Sequence, residues 1–216
     1  AEQIARAIHI LCQVIGYLAG CFVEVEVDCA TGNHGRFTQV HKKRAVRKKW
    51  NSVETVIYLS IREKLSAVKN VKFVIPKTPF VVFENFGNKI FATHGDTTFN
   101  PGYPGKKIEV GQVETQIQRM NAHLPDRDEY ELFITGHVHV ASIVNLPSGA
   151  TLMTNGATTP PDDYAVSLSH FESNPGQWLF ESTPDEVVSW SKYLKVGKRD
   201  DRDAALEEFV KPWPGM

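Results

Sequence analysis

Apolar and polar positions along the 216-residue chain follow two periods in turn. In the opening segment, AEQIARAIHILCQVIGYLAG, Ile4, Ile8, Leu11, Ile15 and Leu18 recur at helical spacing, which predicts an amphipathic helix with one face made to pack on a sheet. Glu2, Arg6 and Gln13 interrupt it, so no apolar run is expected to reach the roughly 18 to 20 residues that span a bilayer, and no membrane association is expected. FVEVEVDCA then switches to period two, setting Phe22, Glu24 and Glu26 against Val23, Val25 and Val27. That strand runs directly into GNHGR, and the end of a strand is where open α/β folds keep their functional loops.

Further along, Asn51 and Glu54 fit a capping box for a helix whose stripe of Val53, Val56, Ile57, Ile61, Leu65 and Val68 reaches to about residue 68. VKFVIP is a short strand, and FVVFENFGNKIFATHGD reads as a hairpin turning near Gly87 and Asn88, its second strand ending at His94. VGQVETQIQRMNAHL is a helix; ELFITGHVH is a strand that stops at a glycine before histidines. A meander follows in ASIVNL, ATLMTNG, YAVSLSHF and QWLFEST, and Thr183 with Pro184 caps a last helix over residues 184 to 195. With no repeat or linker in view, residues 1–195 read as one domain and the charged, proline-ended residues 196–216 as a tail.

Composition narrows the class. At 42% hydrophobic and 23% charged residues the chain is an ordinary soluble globular protein, not a disordered one. Cys12, Cys21 and Cys29 are odd in number and lack CxxC spacing, which excludes a zinc ribbon or disulfide framework and implies a reducing, cytoplasmic compartment. The net charge of -1 hides a segment, HKKRAVRKK at residues 41 to 49, with six Lys or Arg and no acid, whereas residues 161 to 216 carry eleven acids and six bases. Lys42, Lys43, Arg47 and Lys48, followed by the stacking face of Trp50, are candidates for tracking the phosphates of a nucleic acid; the alternative is a solvated loop.

Three strand ends present histidines: Asn33 and His34 in GNHGR, His94 in THGD, and His137 and His139 in GHVH. One such histidine is commonly a hydrogen-bonded surface residue, but three at successive strand ends point to a shared task. Two residues apart on extended backbone, His137 and His139 would project to the same side, and Gly136 permits a sharp turn before them. Imidazole nitrogens with an amide oxygen suit Mn²⁺, Zn²⁺ or Fe²⁺ better than Ca²⁺. A transition-metal hydrolase is the leading reading.

In order and placement, GNH at 32 to 34, HG at 94 to 95 and GHVH at 136 to 139 resemble the last three motifs of the calcineurin-like metallophosphoesterases, which run DxH, GDxxD, GNH[D/E], HG and GHxH. GNHGR is most similar to phosphoesterases carried by bacteriophages. The resemblance implies a four-layered α/β/β/α sandwich with mixed sheets, and a phosphoester hydrolase (phosphatase, phosphodiesterase or nuclease) in which two metal ions, Mn²⁺ first among the candidates, activate a water. It assigns Asn33, His94 and His137 to one metal, His139 to the other, and His34 to the proton of the leaving-group oxygen. The departures are equally specific. No DxH or GDxxD precedes Asn33, so the N-terminal portion of the fold is expected to lie outside this sequence, which would supply the C-terminal two-thirds or so. Gly35 and Arg36 replace the usual acid after GNH, leaving Arg36 as either a ligand for substrate phosphate or a surface arginine. The rival reading is a split or degenerate module that binds nucleic acid or a protein and hydrolyses nothing.

The remaining candidates have plainer explanations. Asp96, Asn100 and Tyr103 lie in a Gly/Pro-rich loop that either shapes a pocket or is ordinary turn chemistry, and Asn155 and Gly156 read as a hairpin exit. Cys29 is expected to be buried filler, while His9, His41, His123 and His170 have no motif around them. Neither the substrate class nor the oligomeric state is written in these residues.

Overall fold

The computed structural model describes residues 2–37, 49–99, 109–125, 128–159 and 175–196. Two helices, α1 (Glu2–Cys21) and α2 (Val53–Lys64), pack on the parallel pair β1 (Val25–Asp28) and β2 (Val71–Val74). Ile15, Ile61 and Leu65 are buried there against Val25, Val27, Val71 and Phe73, so the period-two pattern sends its valines toward the helices as expected. The strand is shorter than its pattern. β2 begins only at Val71, leaving Phe22 and Val23 with nothing to pair with, and they are 60% and 97% exposed. Asn70 instead donates its side-chain amide to the carbonyls of Ala19 and Phe22 and closes the end of α1.

One membrane expectation needs correction. By length and composition α1 is apolar enough to cross a bilayer, since only its first turns carry charge. Ile8, Cys12 and Ile15 pack on the α2 core, while Ile10, Leu11, Val14 and Tyr17 remain exposed.

The centre of the fold is a mixed five-stranded sheet with strand order β3-β4-β5-β7-β6, built from β3 (Phe80–Asn85), β4 (Asn88–Thr93), β5 (Tyr130–Thr135), β6 (Ser142–Asn145) and β7 (Thr151–Thr154). β4, β5 and β7 run parallel, flanked by antiparallel β3 and β6. Neighbouring residues in these strands take opposite faces. Phe91, Phe133 and Leu152 meet Val113 and Ile117 of α3 (Val110–Asn121). Ile90, Leu132 and Met153 meet Trp178 and Phe180 of β8 (Gly176–Glu181). Burial on both faces is what parallel strands require, and it makes the chain a mixed α/β protein. α3 stops short of its predicted end because the Asn121 side chain bonds both the N–H and the carbonyl of Tyr130, at 3.1 Å each, which fixes the entry to β5.

Three local expectations change. The β3–β4 turn is Phe86–Gly87, with φ of 53° and 89°, one residue earlier than expected; positive φ at both central positions is the turn type that matches strand twist. Residues 184 to 195 are not a helix: β9 (Trp190–Lys195) pairs with β8, and Tyr193 packs on Trp178 at 5.1 Å. Thr183 does accept the Glu186 N–H in a cap-like turn, but WSKYLK alternates at period two, and its partner strand outweighs the cap. The predicted strand YAVSLSHF lies outside the described residues. The third change is the most consequential. β5 ends at Thr135, and GHVH is irregular, with His137 at φ 63° and His139 at φ 59°. These histidines are therefore not on extended backbone.

Phe133 is fully buried between α3 and the neighbouring rings of Phe91 and Phe99, whereas Val82 is 39% exposed on β3. Phe133→Ala is expected to lower unfolding free energy by about 3 to 5 kcal/mol and Val82→Ala by far less. Urea denaturation giving equal losses for the two would contradict this placement of the core.

Candidate metal centre

Because β4, β5 and β7 are parallel, their C-terminal ends fall along one edge at Thr93, Thr135 and Thr154. The residues just beyond are tied across that edge. Gly136 N–H donates to the His94 carbonyl at 3.1 Å, Thr135 Oγ1 donates to the same carbonyl at 3.1 Å, and Asn155 N–H donates to the Thr135 carbonyl at 2.7 Å. Gly95, at φ 104°, passes so close to the Thr135 hydroxyl that a side chain there would collide with it. His94 and His137 are thus held by the framework of the main sheet. The left-handed backbone of His137 aims its ring at His94 in an edge-to-face contact with centroids 5.0 Å apart. Such conformations cost free energy in residues other than glycine and concentrate where a side chain has to be aimed.

Into this corner comes Asn33, from the loop after β1. Its Oδ1 lies 3.0 Å from His94 Nε2, and His137 Nδ1 lies 3.1 Å from the same nitrogen. Residues spread over more than a hundred positions therefore bring two donor atoms, Asn33 Oδ1 and His137 Nδ1, against a third, His94 Nε2. One proton on His94 Nε2 would be shared between two acceptors in a bifurcated bond, whereas a cation would engage all three lone pairs. The spacing fits octahedral coordination, in which two neighbouring donors about 2.1 Å from an ion are about 3.0 Å apart, better than tetrahedral coordination, in which they are about 3.4 Å apart. Two nitrogens and an amide oxygen suit a borderline divalent ion. Among the described residues, no group of three or more His, Cys, Asp or Glu is arranged to share an ion.

Burial pushes His94 down to about 4; Asp96 opposes this, while the charges of His137, Lys49 and His34 reinforce it. The imidazole is neutral at physiological pH, the form that binds a metal. His34 is exposed at the rim of the loop, and Arg36 is half-buried, its backbone bridged to Ser52. His139 is half-buried two residues beyond His137.

Two charged features escaped the sequence reading. Lys49, last of the basic run, is 1% exposed and ion-paired to Asp96, which is 11% exposed. This buried pair ties the segment entering α2 to the loop after His94, so Asp96 is a partner of Lys49 and not only a loop residue. Glu54, expected in a capping box, does not turn back on its own helix. Ser52 is the N-cap, accepting the Thr55 N–H, and Glu54 Oε1 accepts the Gly35 N–H at 3.1 Å. No periodicity signals either contact, since both join segments remote in sequence.

Asn155 is structural: its Oδ1 accepts the N–H of Gly156 and of Trp178, and its Nδ2 donates to Gln177, locking β8 onto the sheet. Cys29 is buried and its thiol is pushed up to about 12 by burial and then by Asp28, which disfavours the thiolate and fits the filler role. His9 and His123 are exposed. Lys42, Lys43, Arg47, Lys48, Asn100, Tyr103, His41 and His170 lie outside the described residues.

No family model and no curated protein matches the chain. Solved structures that are similar include Vps29 from Entamoeba histolytica complexed with Zn²⁺, at 16% identity and TM-score 0.40, covering 63% of this chain and 74% of that one. A hypothetical protein from Pyrococcus horikoshii OT3 is 13% identical with TM-score 0.37, covering 74% of this chain and 56% of that one. A predicted phosphoesterase from Streptococcus pneumoniae TIGR4 is 15% identical with TM-score 0.31, covering 63% and 73%. All three likenesses are distant, and the chemistry rests on the side chains described above.

Two half-buried groups give opposite pH dependences. Between pH 6.5 and about 4 the unfolded chain takes a proton on His94 that the folded chain refuses, so this group costs stability as pH falls. Asp28 is raised from 3.8 to about 6 by burial and then by Glu26, so it costs stability as pH rises through that window. Relative to wild type, His94→Gln should gain stability toward pH 4 and Asp28→Asn toward pH 6, as measured by urea melts across the range. Parallel profiles for all three proteins would refute both assignments.

Proposed function

We propose that this chain carries the cation-binding half of a metallophosphoesterase site, with Asn33, His94 and His137 as ligands, and that its chemistry is phosphoester hydrolysis. The observation that carries this reading is the convergence of three donor atoms, 3.0 and 3.1 Å apart, from loops whose motifs follow the metallophosphoesterase order. A bound divalent ion supplies Lewis acidity toward a phosphoryl oxygen and acidifies water. His94 and His137 are held by the parallel sheet, burial keeps His94 unprotonated, and Asn33 adds a neutral oxygen. His34, exposed on the same loop as Asn33, is assigned the proton donated to the leaving-group oxygen. Arg36 brings a permanent positive charge for a phosphate. His139 is assigned to a second ion, with Mn²⁺ the first candidate metal.

A second reading has its own support. The described carboxylates nearest the convergence are engaged: Asp96 with Lys49, and Glu54 with the loop backbone. Two dications a few Å apart need bridging negative charge, so on this reading the chain alone holds one ion weakly and turns over poorly, as a binding module would. The basic segment favours a nucleic acid as the phosphoester partner.

Calorimetric titration with Mn²⁺ or Zn²⁺, paired with hydrolysis of an aryl phosphodiester and an aryl phosphomonoester, tests both readings. One weak site, abolished by Asn33→Ala, is expected. His34→Ala should keep the ion while losing roughly 10²- to 10⁴-fold of whatever turnover is measured. An ion bound equally well by Asn33→Ala would contradict the ligand assignment, and two tight ions with brisk turnover would contradict the module.

Neutralising Lys42, Lys43, Arg47 and Lys48 together should weaken binding of a generic single-stranded oligonucleotide and flatten its salt dependence, since each contacted phosphate releases about 0.7 counterions. Binding indifferent to the change would reject nucleic acid as the partner of this segment.

A further inference from the structure

We propose that Glu54 is a positioning residue of the cation site: its carboxylate fills the turn from Gly32 to Gly35 and holds Asn33 at the distance where its oxygen meets His94. This rests on the cation-site reading given above.

The need for such a residue follows from the fold. His94 and His137 are anchored by backbone bonds across the five-stranded sheet. Asn33 comes from the other sheet, on a loop with glycines on both sides of the Asn33–His34 pair, and glycine leaves a loop the most conformations to lose. Glu54 removes that freedom. A Cβ built on Gly32 would lie 3.2 Å from Glu54 Oε1, and one built on Gly35 would run into Oε1, Cδ and Oε2 of the same carboxylate. Both glycines therefore make room for one anion, which lies where a side chain at position 35 would otherwise be.

The bonding supports a clamp. Gly35 N–H donates to Glu54 Oε1 at 3.1 Å, and the Gly35 carbonyl accepts the Val53 N–H at 2.7 Å, so both peptide groups of Gly35 are fastened to the first turn of α2. A bond to a carboxylate is stronger than one between neutral groups, and the positive end of the helix favours the charge. α2 is in turn fixed by Ile57, Ile61 and Leu65 in the core. Rigidity thus passes from the core through α2 and Glu54 to Asn33. Glu54 Oε2 is buried without a partner, which a surface capping glutamate would not tolerate.

The test is Mn²⁺ affinity by calorimetry, with far-UV circular dichroism to confirm folding. Glu54→Ala should weaken Mn²⁺ binding about 10- to 100-fold, the usual effect of losing a group that orients a ligand. Glu54→Gln keeps an oxygen for the Gly35 N–H and should retain most of the affinity. Gly35→Ala leaves Glu54 in place but displaces its carboxylate, so it should weaken binding as well. Glu54→Ala or Gly35→Ala binding Mn²⁺ as wild type does would overturn the clamp, and Gly35→Ala decides the matter if Glu54→Ala does not fold. If the wild type binds no Mn²⁺, or Asn33→Ala changes nothing, the cation reading falls and the clamp with it; a loss in Asn33→Ala with none in the Glu54 and Gly35 variants sinks the clamp alone.

Discussion

Three lone pairs aimed at one another are unfavourable unless something positive lies among them. Asn33 Oδ1 and His137 Nδ1 both lie against His94 Nε2, at 3.0 and 3.1 Å; a proton on that nitrogen would be divided between them, whereas a cation would engage them more fully. Much of the local structure serves to maintain this meeting. The parallel strands align their ends, Thr135 and Gly136 bond the His94 carbonyl, and His137 takes a left-handed backbone to turn its ring inward. Free energy spent on such a conformation has to be offset by the surrounding packing, here the core on both faces of the central sheet.

The same economy explains the charges nearby. Lys49 is buried only because Asp96 meets it, and removing either would strand the other. The pair ties the chain entering α2 to the loop carrying His94, while Glu54 ties α2 to the loop carrying Asn33. α2 therefore connects both halves of the convergence.

The elements with long unbroken patterns were legible in the sequence: α1, α2, α3 and the β3–β4 hairpin appear where periodicity placed them, except that α2 ends at Lys64 instead of near residue 68 and α3 ends early at Asn121. So were the three strand ends that carry Asn33, His94 and His137, because a strand stopping where glycine and histidine adjoin is a local signal. Other features depend on partners that no local pattern encodes. WSKYLK follows a turn resembling a helix cap and becomes β9 because β8 is available to pair with it. Phe22 and Val23 have strand character and no strand beside them. Glu54 satisfies a capping-box spacing, yet a backbone N–H nineteen residues away competes for it and wins. GHVH has the alternation of a strand, but β5 ends at Thr135 and His137 and His139 take left-handed backbone.

Anomalous diffraction from crystals of the protein grown with Mn²⁺ addresses the central claim most directly. The account predicts a peak about 2.0 to 2.3 Å from Asn33 Oδ1, His94 Nε2 and His137 Nδ1. No peak at that corner at millimolar Mn²⁺, with the three side chains instead joined by hydrogen bonds alone, would contradict it.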